Sequence, residues 1–191
     1  MNNQYKLIVL CGKAGVGKDF LLQQLCKAFP DDLNIVVSDT TRPPRWGEED
    51  GVNYNFLTEK EFHKRDHIEH SYFNRWYYGT PIDSLSTEKI NVLILNPDGV
   101  RQIYTREDLK IKLFLISASD KTRMLRQLNR EDYPDVKEVC RRFLADEEDF
   151  MNLYKYPFKK LRNQLEGDEK QCLMIIKEVI DELKNDSGRI N

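Results

Sequence analysis

The chain has 191 residues, of which 40% are hydrophobic and 32% charged, and its formal net charge is −2 at pH 7. This length suits one globular domain, and the nearly balanced charge argues against a general nucleic-acid-binding protein. Since the sequence has no apolar stretch of roughly 20 residues and no Cys-x-x-Cys pair, we expect a cytoplasmic protein with reduced thiols and without nucleic-acid or membrane partners.

Strand-like and helix-like segments alternate along most of the chain. Residues 6–11 form a short apolar run that predicts a buried parallel strand, and residues 19–29 carry apolar side chains on one helical face. Further segments follow in the same alternation: strands at 35–38, 90–95 and 112–117, and helices at 120–128, 136–153 and 168–184. The alternation predicts a parallel sheet with helices on both faces.

Residues 38–89 interrupt this alternation. They are rich in aromatic and turn-forming residues, and Thr58 and Glu61 have the spacing of a helix capping box. The segment predicts a small α+β insertion attached to the parallel core.

The segment between the first strand and the first helix has the composition of a phosphate-binding loop. The loop consists of Gly12, Lys13, Ala14, Gly15, Val16, Gly17 and Lys18. Glycines let the backbone amides bend around an anion, the helix N-terminus adds its dipole, and Lys18 supplies a cation for the β- and γ-phosphates. The next residue in such loops is normally a Ser or Thr that ligates Mg²⁺. Here it is Asp19, whose carboxylate is also a ligand type that Mg²⁺ accepts.

An acceptor site is predicted within the insertion. Arg42 and Arg45 lie three residues apart with two prolines between them. Such a stiff pair of guanidinium groups fits a phosphate dianion, and Tyr54 can add a hydroxyl group. Glu69 can accept both the N1–H and the exocyclic N–H₂ of guanine, a pairing that adenine does not offer.

These motifs, in this order over about residues 5–163, closely resemble the guanylate kinase family. The resemblance implies a P-loop NTPase-type α/β fold: a three-layer αβα parallel sheet with a small α+β insertion that binds the nucleoside monophosphate (NMP) and a helical lid. The corresponding bounds in a single domain are a core at 1–37, 90–129 and 154–191, the insertion at 38–89 and the lid at 130–153. The implied reaction transfers the γ-phosphate of ATP to GMP, with Mg²⁺ as cofactor.

The resemblance also assigns candidate site residues. Lys18, Arg130 and Arg142 would be catalytic, the two arginines closing over the transferred phosphoryl group. ATP would be bound by residues 12–19 and by Asn163, which would contact the base. The candidate GMP-binding residues are Ser38, Arg42, Arg45, Tyr54, Glu69, Tyr78, Thr80 and Asn96. Two more arginines near the lid, Arg126 and Arg141, are expected to be solvated or supporting.

Two positions at the end of the strand near residue 94 depart from the family pattern. Acidic residues usually stand at the positions of Ile94 and Asn96, where one organises the metal and the other lines the acceptor site. We hypothesise that Asp19 holds Mg²⁺ in place of these acids. The same departures resemble ribose 1,5-bisphosphate phosphokinase, whose loop ends in Lys-Asp and whose strand ends in Asn. That enzyme lacks the full acceptor pattern found here.

Two alternatives to GMP phosphorylation stay open at this point. One is a kinase for another phosphorylated acceptor, such as dGMP, another monophosphate or ribose 1,5-bisphosphate. The other is a non-catalytic module, similar to the guanylate-kinase-like domains that bind phosphopeptides in scaffold proteins. The glycines and Lys18 of the loop argue against a pure binding module.

Two further clusters are interpreted as exposed polar surface. His63, His67 and His70 have a spacing that would suit a metal site on one helix, but the segment from Ile68 onward is predicted to be a strand. The acidic run at 146–149 is predicted to be the solvated face of a helix.

Overall fold

The described residues are 5–44, 47–73, 75–130 and 134–185 of a computed structural model, and they form nine strands and six α-helices. The strands are β1 (Tyr5–Cys11), β2 (Leu33–Ile35), β3 (Asp39–Thr40), β4 (Asn55–Phe56), β5 (His67–Phe73), β6 (Trp76–Pro81), β7 (Ile90–Ile94), β8 (Leu109–Ser117) and β9 (Lys159–Arg162). The helices are α1 (Lys18–Ala28), α2 (Glu59–Phe62), α3 (Pro97–Ile103), α4 (Asp120–Leu128), α5 (Val136–Asp149) and α6 (Asp168–Asn185). Short 3₁₀ turns lie at Ile82–Ser84 and Leu153–Lys155.

Five strands form a parallel sheet in the order β2-β7-β1-β8-β9. The central strand β1 is apolar on both faces because alternate residues enter different cores. Ile8 and Leu10 pack with α1 and α6, whereas Leu7 and Val9 pack with α3 and with the buried Ile68 of β5. Helices thus cover both faces of the sheet, and the expected three-layer α/β fold is confirmed.

The phosphate loop lies at the carboxyl end of β1, in the middle of the sheet. The neighbouring strands β7 and β8 are parallel to β1, so their carboxyl ends lie on the same side of the sheet. Open α/β sheets bind ligands in crevices outside these carboxyl ends. The helix that follows the loop begins after Gly17, whose φ of 87° places it in the left-handed region. The loop amides and the N-terminus of α1 therefore lie together at the carboxyl end of the sheet.

A second sheet, in the order β4-β3-β6-β5, forms the insertion. Its strand β3 is parallel to β4 and antiparallel to β6, and β5 and β6 are paired antiparallel neighbours. The short helix α2 has the expected capping box: Thr58 Oγ1 accepts from the Glu61 N–H, and the Glu61 carboxylate accepts from the Thr58 N–H. The α+β character predicted for this segment is confirmed.

Several expected boundaries are wrong. The strand expected at 35–38 is β2, which ends at Ile35 because the chain then crosses into the second sheet. The helix expected at 136–153 ends at Asp149, and the chain turns inward to bury Phe150 and Leu153. Two elements, α3 and β9, have no counterpart among the expected ones. None of the helices in the described ranges is both long and apolar enough to cross a membrane.

Candidate active site

The phosphate loop folds tightly around its own lysine. Lys18 Nζ donates to the Gly12 carbonyl at 2.6 Å and lies 3.3 Å from the Lys13 carbonyl oxygen. Burial lowers the pKa of Lys18, and the nearby carboxylate of Asp19 opposes this shift. The ammonium group therefore lies against the loop backbone, within the concave face that phosphates occupy in such loops.

Two loop glycines have a positive φ and also lie too close to neighbouring atoms to carry a side chain. Gly15 and Gly17 have φ values of 80° and 87°, which L side chains rarely adopt. A Cβ at Gly15 would lie 2.5 Å from the Arg123 carbonyl oxygen, and a Cβ at Gly17 would lie 2.6 Å from Asn163 Nδ2. The loop is therefore packed against α4 on one side and against the segment after β9 on the other.

Asn163 supports the loop from behind. Its side chain is buried, and Nδ2 donates to the Val16 carbonyl at 2.8 Å. Arg126 Nη1 donates to the Asn163 carbonyl at 2.8 Å and lies 3.4 Å from the Val16 carbonyl oxygen. These contacts give Arg126 the supporting role expected for it. A contact between Asn163 and the ATP base stays a prediction.

Asp19 lies in the first turn of α1 and is exposed. Its negative charge contributes to the raised pKa of Tyr54, after the larger effect of burial, and it also acts on Lys18. Asp19 thus presents an exposed carboxylate directly after the phosphate loop. Within the described ranges, no three His, Cys, Asp or Glu side chains gather in a way that could hold a metal. A Mg²⁺ here would rely on one carboxylate together with phosphates and water, an arrangement that is usual for this ion.

Arg42 is almost buried on the insertion. Its Nη2 donates to Glu48 Oε1 at 3.0 Å, and its guanidinium carbon lies 5.6 Å from the centroid of the Tyr54 ring. The Tyr78 ring packs edge-on against Tyr54 with a centroid distance of 6.1 Å. The structure therefore brings Arg42, Tyr54 and Tyr78 together, as expected for the phosphate of GMP. Arg45 lies outside the described residues.

A buried carboxyl–hydroxyl pair occupies the adjacent strands β5 and β6. Glu69 and Thr80 face each other in the strand register, and the Thr80 hydroxyl donates to Glu69 Oε1 at 2.6 Å. Burial raises the pKa of Glu69 to about 7, against the opposing effects of the Thr80 hydrogen bond and of His67. A Cβ at Gly99 would lie 2.7 Å from Glu69 Oε2, so the first turn of α3 closes one side of this pair. Ser38, the third residue expected to read guanine, is half-buried just before β3.

Asn96 is the N-cap of α3. Its Oδ1 accepts from the Gly99 N–H at 2.8 Å, and its Nδ2 lies 3.4 Å from Ser71 Oγ. Ile94, at the end of β7, is partly buried against the core formed by α1 and α6. Asn96 thus caps α3, and Ile94 packs against the core.

A buried ionic network, which the sequence pattern does not predict, holds the insertion together. Asp39 is fully buried and accepts from Asn55 Nδ2 and from Arg65 Nη1, both at 2.8 Å. His67 Nε2 lies 3.0 Å from the other Asp39 oxygen, and the imidazole stacks on Phe62 with a centroid distance of 4.2 Å. The expectation that His67 is exposed is therefore wrong, because the turn after α2 places its ring beneath β3. His63 and His70 are exposed as expected.

The two neighbouring arginines of α5 are paired within their own helix. Glu138 accepts from Arg142 Nε at 2.6 Å and from Arg141 Nε at 2.6 Å. Hydrogen bonds from Arg141, then Arg142, lower the pKa of Glu138 to about 2. Arg130 is exposed just after α4. Arg142 is thus held on the lid helix, one turn away from its carboxylate partner.

The prediction that residues 146–149 form a solvated helix face is wrong for Asp146, whose side chain is mostly buried. Asp146 Oδ2 accepts from the Ala14 N–H at 2.8 Å, and Lys13 Nζ donates to the Glu147 carboxylate. The end of α5 therefore lies against the phosphate loop, although Glu147 is exposed, as Glu148 and Asp149 are. The sequence pattern also does not predict the burial of Arg123 beside Asp146.

Comparisons with known proteins agree with this arrangement. The sequence model of the guanylate kinase family matches residues 4–181. A guanylate kinase of Clostridium perfringens (strain SM101 / Type A) is 31% identical over 184 residues, which cover 92% of this chain and 84% of that protein. One of Prochlorococcus marinus (strain MIT 9312) is 29% identical over 188 residues, covering 92% of this chain and 99% of that protein.

A solved structure gives independent support for the fold. The guanylate kinase from Anaplasma phagocytophilum superposes with a TM-score of 0.65, covering 94% of this chain and 86% of that chain at 18% sequence identity. The extent of the family match, together with the 31% identical relative, settles the classification. The chain belongs to the guanylate kinase family.

Proposed function

We propose that this protein transfers the γ-phosphate of ATP to the phosphate group of GMP, giving ADP and GDP. The observation that carries the proposal is the buried Glu69–Thr80 pair of the insertion. Strand β7 lies beside β1, which carries the phosphate loop, and α3 begins directly after β7 and packs its first turn against Glu69. The phosphate loop and the carboxylate proposed to accept guanine therefore lie at the same end of the parallel sheet.

The donor side is the loop from Gly12 to Lys18. Its backbone amides and the N-terminus of α1 would hold the phosphates of ATP, and Lys18 would exchange the Gly12 carbonyl for phosphate oxygens. Mg²⁺ belongs to the proposal because Asp19 is an exposed carboxylate beside these phosphates, and the ion would supply charge neutralisation there.

The acceptor side is built on the insertion. Arg42 would exchange Glu48 for the phosphate of GMP, since a dianion offers the guanidinium a stronger charge-assisted hydrogen bond. Tyr54 and Tyr78 would complete this phosphate site. The Glu69 carboxylate would accept the N1–H and N–H₂ groups of guanine, with Thr80 fixing its orientation.

Transfer then requires positioning and charge stabilisation. An oxygen of the GMP phosphate attacks the γ-phosphorus in line, the bond to the β–γ bridging oxygen breaks, and its electron pair stays on ADP. Lys18, Arg130 and Arg142 stabilise the charge on the moving phosphoryl group. Arg142 must first leave Glu138, its partner one turn away on the same helix.

The alternatives have less support. Ribose 1,5-bisphosphate can offer a carboxylate only its two ring hydroxyl groups, whereas guanine offers the adjacent N1–H and N–H₂ groups of one rigid edge, which match the two oxygens of Glu69. A binding module without catalysis has no use for Lys18 in an intact loop. The four free cysteines are consistent with a cytoplasmic location, which is part of the same proposal.

A coupled assay of ADP release tests the function. GMP, dGMP, AMP, CMP, UMP and ribose 1,5-bisphosphate are each offered with ATP and Mg²⁺, and GMP is expected to give the highest kcat/KM, with dGMP as its nearest competitor. Lys18→Met is the matched control: it should lower kcat by roughly a hundredfold or more while still binding GMP. Release with ribose 1,5-bisphosphate but not with GMP, or no release with any acceptor, would overturn the proposal.

A further inference from the structure

The side chain of Asp146, on the lid helix α5, contacts the phosphate loop. Its carboxylate accepts from the backbone N–H of Ala14, a residue 132 positions earlier, at 2.8 Å and from Arg123 Nη2 at 2.5 Å. The side chain is only 15% exposed. Burial raises the pKa of Asp146, while the Ala14 amide, Arg123 and Lys18 oppose the shift. The carboxylate is therefore surrounded by groups that bind anions.

Those groups belong to a loop whose backbone amides bind phosphate oxygens. The Ala14 amide can give its hydrogen to one anion at a time. A carboxylate oxygen and a phosphate oxygen make the same type of charge-assisted hydrogen bond to it. ATP must therefore displace Asp146 before one of its phosphate oxygens can use this amide.

Arg123 is fixed independently of Asp146. Its guanidinium is 1% exposed, Nε donates to the Ala14 carbonyl at 3.0 Å, and Nη1 donates to Asp120 Oδ1 at 2.8 Å. The guanidinium also lies 4.5 Å from the centroid of the Phe143 ring. Displacement of Asp146 would leave Nη2 at the loop with a free donor, and a buried charge that loses its partner is unfavourable.

We propose that Arg123 is a phosphate-contacting residue of this kinase, and that the Asp146 carboxylate occupies its phosphate position until ATP displaces it. This inference rests on the proposed use of ATP as donor. Arg123 would then act on phosphate together with Arg130 and Arg142, and binding of ATP would change the contacts of the C-terminal end of α5. Because Asp146 and Arg142 lie four residues apart on α5, they share a helix face. Movement of α5 away from the loop would therefore carry Arg142 along with Asp146, whereas the Arg142–Glu138 pair has both partners on α5 and would move with the helix.

The test is the affinity for Mg·ATP without GMP, measured by titration calorimetry. Asp146→Asn removes the competing charge and leaves Arg123 in place, so ATP is expected to bind at least tenfold more tightly. Asp120→Asn is the matched control, since it removes another carboxylate partner of Arg123 without touching the loop, and its ATP affinity should stay within twofold of the parent. Adding Arg123→Met to Asp146→Asn should abolish the gain.

A purely structural role of Asp146 predicts the opposite change in ATP affinity. If the Arg123–Asp146 pair only supports the loop, Asp146→Asn will bind ATP equally or more weakly, and this result would overturn the proposal. Neither residue belongs to the predicted GMP site, so an unchanged GMP affinity shows that each variant is folded. Should Asp146→Asn not fold, Phe143→Trp in the otherwise unchanged protein reports the position of α5. Its emission is expected to shift on saturation with ATP, and an unchanged emission would also overturn the proposal. Activity of the parent with GMP tests the proposed function separately.

Discussion

Glu69 offers a direct test of guanine recognition, because burial raises the pKa of its carboxyl group from 4.5 to about 7. Guanine requires the ionised form, which accepts two N–H groups, whereas the protonated form presents a donor to a donor. With a pKa of about 7, the ionised fraction falls about tenfold between pH 8 and pH 6. Only this fraction is competent to bind, so the apparent affinity for GMP is expected to fall about tenfold over the same range.

Titration calorimetry of GMP at a series of pH values measures this effect, with Glu69→Gln as the control. The phosphate of GMP also titrates near about pH 6, but its contribution is common to both proteins. The difference between the two profiles therefore belongs to Glu69. Parallel profiles would refute the assignment of guanine recognition to this carboxylate.

The raised pKa has a second consequence of known sign. A carboxyl group whose pKa is higher in the folded than in the unfolded state lowers the free energy of unfolding as pH rises between the two values. A rise from 4.5 to about 7 corresponds to about 3 kcal/mol when the group is fully ionised. At pH 8, unliganded Glu69→Gln is therefore expected to be more stable than the parent, by up to that amount, while binding GMP more weakly. A variant that loses both stability and GMP affinity would contradict this reasoning.

Three further substitutions test other parts of the site. Arg42→Ala should weaken GMP binding by about tenfold or more with far less effect on ATP; unchanged GMP affinity in calorimetry would exclude this phosphate site. Asp19→Ser should lower kcat and raise the Mg²⁺ concentration for half-maximal rate, whereas a faster enzyme with unchanged magnesium dependence would show that Asp19 is not a ligand. Asn163→Ala removes the hydrogen bond to the Val16 carbonyl and should cost about 1–2 kcal/mol of stability, seen as a lower Tm, and raise the KM for ATP without changing GMP affinity.

Local signals in the sequence are sufficient for the phosphate loop and for the sheet that carries it. The spacing of the glycines and Lys18 between an apolar strand and an amphipathic helix is itself the structural requirement of the loop. The capping box of α2 is equally local. The position of Asn96 has a local signal as well, because Asn followed by Pro is typical of an N-cap and the first helical residue.

Other features depend on contacts that local patterns do not contain. Asp146 belongs to an acidic run with the composition of a solvated helix face, but its partner Ala14 is 132 residues away. The side chains of Asp39 in β3 and of His67, the first residue of β5, likewise become buried against each other, although the two residues lie 28 positions apart. Polar residues of this kind are identified only when the tertiary packing supplies their hydrogen-bond partners.

The connections of the insertion to the core have a consequence for protein engineering. The chain leaves the parallel sheet after β2 and returns at β7, and these two strands are paired neighbours. At the return, the buried amide of Asn91 bonds to the Asn34 side chain, to the Ser86 backbone and to the Lys6 carbonyl of β1. Exchange of residues 38–89 for the acceptor segment of another kinase is therefore expected to keep the β2–β7 register, provided that the new segment supplies the backbone groups that Ser84 and Ser86 offer to Asn34 and Asn91. Such a chimera needs to keep Asn91, and it needs an apolar side chain at the position of Ile68, which docks on α3. Under the proposed function, such a chimera would separate acceptor choice, carried by the insertion, from phosphate transfer, carried by the core.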